Sequence, residues 1–333
     1  MLYKNMILHN VAEMLEEEGG ISITRIPENL RVNLNKQAMG AAKASAGCEM
    51  RFNLKSKEAK IVLTSNVQSV AEVYQGNFFK SMHFINDKPS VIPVSIPANI
   101  DVLRSLSKKM HLSFDAGLTR VVLPYHVTKI IDIEGDFEPP LASQLPKANY
   151  LAYGSSITHG AAAVSPSGTY IMNTAARLEV NLFNLGFGGG AHYENQMADY
   201  IAGRKDWDFA SFEMGINMVG GFEVDEFRKR VEYFLGTVVK KHPRKYIFCI
   251  DMFTFNRDIA DVGNDKHEQF RKVVRNAVKK TGSEKVIHLD GRKLLKNVSG
   301  LTFDLVHPSP AGMEEIALNL SREIGKRIKK YQR

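Results

Sequence analysis

Apolar and polar positions follow two different rhythms along this chain. From about Ile21 to Ile133, short apolar or alternating runs are broken by polar turns. Arg51-Phe52-Asn53-Leu54, Lys60-Ile61-Val62-Leu63-Thr64 and Ala71-Glu72-Val73-Tyr74 are such runs, and Thr119 to Leu123 and Lys129 to Ile133 follow them. Alternate residues of a strand share a face. Frequent short strands with no long helix between them predict a β-sandwich of jelly-roll type. Residues 1 to 18 read as a helix or an arm, and the alanine-rich stretch 34 to 47 stays unassigned.

The rhythm changes near Glu134-Gly135-Asp136-Phe137-Glu138-Pro139-Pro140, where paired prolines stop a strand. Residues 134 to 147 read as a linker between a first domain, 1–140, and a second, 148–333. Beyond it apolar runs alternate with helical patterns. Strands are expected near 149–153, 182–185, 208–214, 245–251 and 286–289, and helices near 168–179, 192–203, 224–241 and 264–281. Phe227, Val231, Phe234, Leu235 and Val238 recur at helical spacing, as do Ile316, Leu320, Ile324 and Ile328 in a final helix. The alternation predicts a three-layer α/β/α domain around a five-stranded parallel sheet. In such a sheet, sites form at the C-terminal strand ends.

Four segments of unusual composition fall at or after those ends. They are Gly154-Ser155-Ser156-Ile157, Asn184 to His192, Glu213 to Met218, and Asp304-Leu305-Val306-His307-Pro308. A serine pinned between a strand end and a helix start can present its hydroxyl as a nucleophile. Ser156 needs a base, because a free hydroxyl barely ionises near neutrality. His307 can take that proton and return it to a leaving alkoxide. Asp304, three residues earlier, can hold the ring's tautomer. Taken singly, each residue has a plainer reading: Ser156 as a helix N-cap, His307 and Asn217 as turn residues, Asp304 as a turn cap, the glycines as a loose loop. His159, His192 and Glu213 lie near the same ends and read as loop packing or hydrogen bonding. The glycine run lacks the spacing of a dinucleotide or phosphate loop.

In this order the four blocks resemble the SGNH (GDSL-like) hydrolase superfamily. The resemblance implies Ser156 as nucleophile, Asp304 and His307 as its partners, and an oxyanion hole from Ser156, Gly189 and Asn217. Ser155 stands where the family usually has aspartate, and Met218 replaces another. Gly190 stands in place of a polar side chain that could touch substrate. The β-rich first half is similar to the jelly-roll domain of some bacterial carbohydrate esterases. The implied activity is hydrolysis of short-acyl esters, acetyl foremost, on a small molecule or oligosaccharide, through an acyl-enzyme and without a cofactor. A lipase, thioesterase or acyltransferase would use the same residues. A carbohydrate-binding protein with a silent hydrolase domain is the alternative from another class. In the segment Met252 to Asp265, Phe255 is expected to wall the acyl or sugar pocket.

The 333 residues carry a net charge of +8. Much of the excess lies at the end, in Arg322, Lys326, Arg327, Lys329, Lys330 and Arg333. Cations there suit a helix C-terminus, and no aromatic interleaving points to nucleic acid. Cys48 and Cys249 lack metal spacing and read as reduced core residues. No secretory pattern opens the chain and no apolar run is long enough for a membrane span, so a cytoplasmic protein is expected. A homo-oligomer stays open.

Overall fold

A computed structural model describes residues 1–260 and 264–328. The basic tail residues Lys329, Lys330 and Arg333 lie outside them. The chain opens in strands, β1 (Leu2–Tyr3), β2 (Met6–His9), β3 (Glu13–Glu17) and β4 (Gly20–Thr24), not in the helix or arm expected for residues 1 to 18. Lys4 and Asn5 turn β1 into β2 at positive φ, as a tight hairpin turn requires. The glutamates of β3 lie on a sheet edge, where charge discourages strand addition by another chain. Such a strand has no alternating apolar face to betray it in the sequence.

Two short helices follow, α1 (Glu28–Arg31) and α2 (Lys36–Ala41). Asn35 caps α2, its side-chain oxygen accepting the Ala38 N–H at 3.0 Å. Then come β5 (Glu49–Leu54), β6 (Glu58–Ser65), β7 (Ser69–Gln75), β8 (Phe78–Ile85), β9 (Ser90–Ser95), α3 (Ile100–Lys109), β10 (Thr119–Val122), β11 (Thr128–Glu134) and β12 (Phe137–Glu138). Among the described residues, one antiparallel sheet runs β1-β2-β5-β10-β7-β8 with β12 added on β5, and a second runs β3-β4-β11-β6-β9. Their inner faces share one core, with Met50, Phe52, Val73 and Val121 from the first meeting Ile61, Leu63, Ile92 and Ile130 from the second. This is the expected sandwich. Within the stretch read as a linker, Phe137 and Glu138 pair with Leu54 and Asn53.

The second half alternates as its pattern predicts. Its elements are β13 (Asn149–Gly154), α4 (Ser156–His159), α5 (Tyr170–Leu178), β14 (Asn181–Gly186), α6 (Asn195–Gly203), β15 (Phe209–Glu213) and α7 (Val224–Lys241). They continue with β16 (Tyr246–Ile250), α8 (Asn256–Ile259), α9 (Lys266–Lys280), β17 (Val286–Leu289), α10 (Gly291–Leu294) and α11 (Pro310–Gly325). The parallel sheet runs β14-β13-β15-β16-β17. Its strands are buried on both faces, which is why they read as unbroken apolar runs. The chain leaves β13 for β14 on one side and returns to β15 on the other. The residues after β13 therefore sit at the topological switch point, where α/β sheets bind ligands.

The two halves are joined by more than a connection. Leu34, Ala38 and Ala42, around α2, belong to the same core as Leu151, Phe187 and Met214. Strand β14 is an edge of the parallel sheet, and side chains of the first half cover its outward carbonyls. His9 Nε2 donates to Leu182 at 2.6 Å, and Asn10 Nδ2 donates to Asn184 at 3.1 Å. Arg25 donates to Asn184 at 2.9 Å and to Gly186 at 2.9 Å, and also to Ala44 and Ala41. Burial lowers the Arg25 guanidinium to about 10, still charged at neutral pH. Burial, reinforced by the positive charge of Arg51, lowers His9 to about 3, so its ring is neutral. Among the described residues, no helix is long and apolar enough to cross a membrane. Cys48 and Cys249 are free and buried.

Candidate active site

Register aligns Gly154 with Gly186, and Tyr153 with Phe212, so β13, β14 and β15 end together. Their exit loops must converge. The first turn belongs to α4, and its N-cap is Ser155, whose Oγ accepts the Ile157 N–H at 3.1 Å. The capping role that Ser156 could have filled is thus taken by its neighbour. The Ser156 hydroxyl faces His307 Nε2 at 2.8 Å instead.

His307 and Asp304 arrive on a loop between Leu301 and Pro308, which pair as an isolated bridge. One Asp304 oxygen accepts from the Val306 N–H at 2.8 Å, the His307 N–H at 2.9 Å and the Thr302 hydroxyl at 2.8 Å. The other meets His307 Nδ1 at 2.7 Å. So Asp304 does cap its turn, as its plainer reading holds, and the second oxygen addresses the ring as well. Burial works to raise its pKa, but those hydrogen bonds outweigh it and hold the carboxyl well below the usual carboxylate range. An ionised carboxylate only accepts, so Nδ1 carries the proton. Nε2 is then left as an acceptor for the Ser156 hydroxyl.

Three donors lie on the loops that leave β13, β14 and β15. The Ser156 N–H opens a helix and, among the described residues, meets no protein acceptor. Neither does the N–H of Gly189, which lies at φ +70°, a conformation that favours glycine. Asn217 Oδ1 accepts the Ala191 N–H at 3.2 Å, which leaves its amide N–H₂ to donate elsewhere. The structure thus brings Ser156, His307 and Asp304 into one hydrogen-bonded chain. It holds Gly189 and Asn217 on neighbouring loops of the same sheet edge.

Glu213, at the end of β15, is only 1% exposed. One oxygen accepts the Ser155 N–H at 2.7 Å and the Thr158 hydroxyl at 3.1 Å, tying down the serine turn where the aspartate at 155 is lost. The other oxygen is buried without a partner. Burial raises the pKa of this carboxyl, and the hydrogen bonds from Ser155 and Thr158 only partly oppose it. The folded state therefore holds the Glu213 proton more tightly than the unfolded chain does. Stability from this group is greatest below the unfolded value of about 4.3 and declines as pH rises through the folded value. Glu213→Gln keeps an acceptor for Ser155 and removes the ionisation. Its melting temperature relative to wild type is expected to improve steadily from pH 4 to pH 7. A pH-independent difference would rule out the titration.

The remaining expectations resolve unevenly. His159 is buried and stays neutral, since burial and then the Arg25 charge push its pKa well down. Its Nδ1 accepts the Gly188 N–H at 3.2 Å, so it supports the glycine loop. His192 packs edge-on against Phe222. Phe255 is a correction. It is 3% exposed, inside the core, with Arg271 over its ring and His267 at its edge. Its segment is tied to the His307 loop through the Asn256 N–H, which donates to Leu305 at 2.7 Å.

Residues of the first half also reach the site, and motif reading missed them. Tyr125 stacks on His159 with centroids 4.1 Å apart, and Gln37 of α2 lies against Gly189. Phe303, beside Asp304, is 100% exposed. The Asn35 cap signals a helix, but nothing local says where that helix docks.

The sequence profile of the GDSL-like lipase/acylhydrolase family matches residues 147–325, more than half of the chain. No curated protein sequence matches it. Among solved structures, a salicylyl-acyltransferase, SsfX3, from a tetracycline biosynthetic pathway superposes with a TM-score of 0.82 at 17% identity, covering 99% of this chain and 96% of its own. A family two carbohydrate esterase from Clostridium thermocellum in complex with cellohexaose gives 0.61 at 16%, covering 86% and 94%. One from Cellvibrio japonicus gives 0.64 at 12%, covering 99% and 97%. These likenesses are of fold, and they extend through both halves.

Proposed function

We propose that this chain, which belongs to the GDSL-like lipase/acylhydrolase family and is an ester-hydrolysing serine enzyme, removes short acyl groups, acetyl foremost, from carbohydrate hydroxyls. The observation that carries the reading is the chain from Ser156 through His307 to Asp304 beside unpaired donors. In the proposed mechanism, Ser156 Oγ attacks the ester carbon and its proton passes to His307 Nε2. The Asp304 carboxylate stabilises the ring cation. The Ser156 and Gly189 N–H groups and the Asn217 amide receive the oxyanion, each such donor lowering the barrier by about 3 kcal/mol. Collapse breaks the bond to the leaving oxygen, which takes the proton from His307. Water then attacks the acyl-enzyme, giving its proton to His307, and releases the acid and free Ser156.

Crowding beside the nucleophile favours a short acyl group. A methyl group built on Gly188 would lie 3.6 Å from Ser156 Cβ, 3.7 Å from the Tyr125 hydroxyl and 3.4 Å from His159 Nδ1. Phe303, on the loop of Asp304 and His307, offers a bare aromatic face of the kind a sugar ring can cover. The carbohydrate esterase fold neighbour was solved with cellohexaose, which agrees with a saccharide leaving group.

The test is a panel of acetylated monosaccharides and xylo-oligosaccharides, with aryl acetate, butyrate and octanoate, read by released acid. Acetate esters are expected to exceed octanoate in kcat/KM by at least about tenfold, since mismatched methylenes cost about 1–3 kcal/mol in a confined pocket. Preference for octanoate would point to a lipase. Ester formation with added alcohols in place of acid release would point to an acyltransferase.

A further inference from the structure

We propose that Gln37, on helix α2 of the β-rich half, binds a hydroxyl group of the leaving alcohol. The inference rests on Ser156 as nucleophile with Gly189 in its oxyanion hole, and it names what the site recognises. The glycine loop has lost a side chain at position 190, and the structure shows what fills the space. A Cβ on Gly190 would lie 2.4 Å from the Ala38 nitrogen, 2.7 Å from Ala38 Cα and 2.9 Å from the Gln37 carbonyl carbon. These are backbone atoms of α2, so the helix itself occupies the place. It is fastened there. Asn35 Nδ2 donates to the Gly190 carbonyl at 2.9 Å and to Glu194 at 3.0 Å, and the Asn35 N–H donates to Glu194 at 2.9 Å. Ala38 is fully buried beneath.

This docking sets Gln37 over the oxyanion glycine. Its Cγ is 3.3 Å and its Cβ 3.6 Å from where a Gly189 Cβ would stand. Its carboxamide extends one bond beyond Cγ, is exposed, and meets no hydrogen-bond partner among the described residues. An exposed group against this glycine is open to a bound alcohol from solvent. A carboxamide both donates and accepts, which suits a hydroxyl and gives nothing to an alkyl chain. Helix α2 thus returns to the glycine loop the polar contact that Gly190 removed.

The test compares 2-hydroxyethyl acetate with propyl acetate, two esters of equal heavy-atom count that differ in one hydroxyl. Wild type is expected to favour the hydroxylated ester by about tenfold in kcat/KM, the scale of one good hydrogen bond. In Gln37→Ala and Gln37→Met the ratio should fall to about one, with propyl acetate turnover within about twofold of wild type. Met keeps the side chain's length, so it separates polarity from bulk. An unchanged ratio in both variants overturns the inference. So does an equal loss on both esters, which would place Gln37 in the support of Gly189. If the ratio behaves as expected while no acetylated sugar is cleaved, only the saccharide reading falls.

Discussion

Ser156→Ala is expected to lower kcat for an aryl acetate by about 10⁶-fold, the cost typical of removing a serine nucleophile. The fold should survive the change. The α4 cap is made by Ser155, and Glu213 holds the Ser155 N–H, so neither support of the turn depends on the Ser156 hydroxyl. The variant's melting temperature should stay near that of wild type. What remains to it is the proposed oxyanion hole, the residue-156 and Gly189 N–H groups and the Asn217 amide, which should leave a small rate above that of water. A serine-reactive phosphonate should label wild type once, at residue 156, and leave the variant unmodified. Turnover within tenfold of wild type would reject the nucleophile assignment, and every step drawn from it.

The second large effect is expected at the other end of the same chain. Asp304→Asn should cost about 10⁴-fold in kcat, through the tautomer of His307. Asn can still accept from the Val306 and His307 N–H groups and from Thr302, so the turn is retained. Its amide N–H₂ then faces Nδ1, which must accept. The ring proton moves to Nε2, and the ring can no longer take the Ser156 proton. A stability change accompanies this with a definite sign. The depressed pKa of Asp304 stabilises the native state above the unfolded carboxyl value of about 4, and that gain disappears as pH falls through the lower folded value. The wild-type advantage in melting temperature should therefore close in acid. A variant with nearly full activity would show that His307 is oriented by something else.

Much of this site could be read before any coordinates. The central strands are buried on both faces, so their apolar runs stand out, and the chemistry-bearing residues follow directly at their ends. Ser156 and Asn217 sit in short blocks at strand exits, whereas Asp304 and His307 lie on a loop beyond α10, marked by their own spacing. What could not be read was contact across long separations. Gln37 touches Gly189, Arg25 reaches Asn184 and Tyr125 covers His159, all through surfaces that exist only after both halves have folded. Edge strand β3 was hidden because its exposed face is charged. Phe255 misled for the opposite reason: an aromatic after a strand end reads as a pocket wall, yet its ring is stacked into the core under a buried arginine. Glu213 reads as loop packing or hydrogen bonding and is hydrogen-bonded, but nothing in an apolar strand reveals that its partners are Ser155 and Thr158.

The cover that His9, Asn10 and Arg25 place on strand β14 limits how this protein could be dismantled or recombined. A gene fragment encoding residues 148 onward would yield a sheet with a bare margin, its Leu182, Asn184 and Gly186 carbonyls free to recruit a strand from another molecule. It would also leave an apolar notch where Ala38 and Ala42 had been. A chimera that exchanged the sandwich for a foreign one would inherit the same defects unless the stretch from residue 9 to residue 44 travelled with the hydrolytic part. The natural seam for shuffling therefore cannot be the proline-marked connection, however inviting it looks in the one-dimensional string.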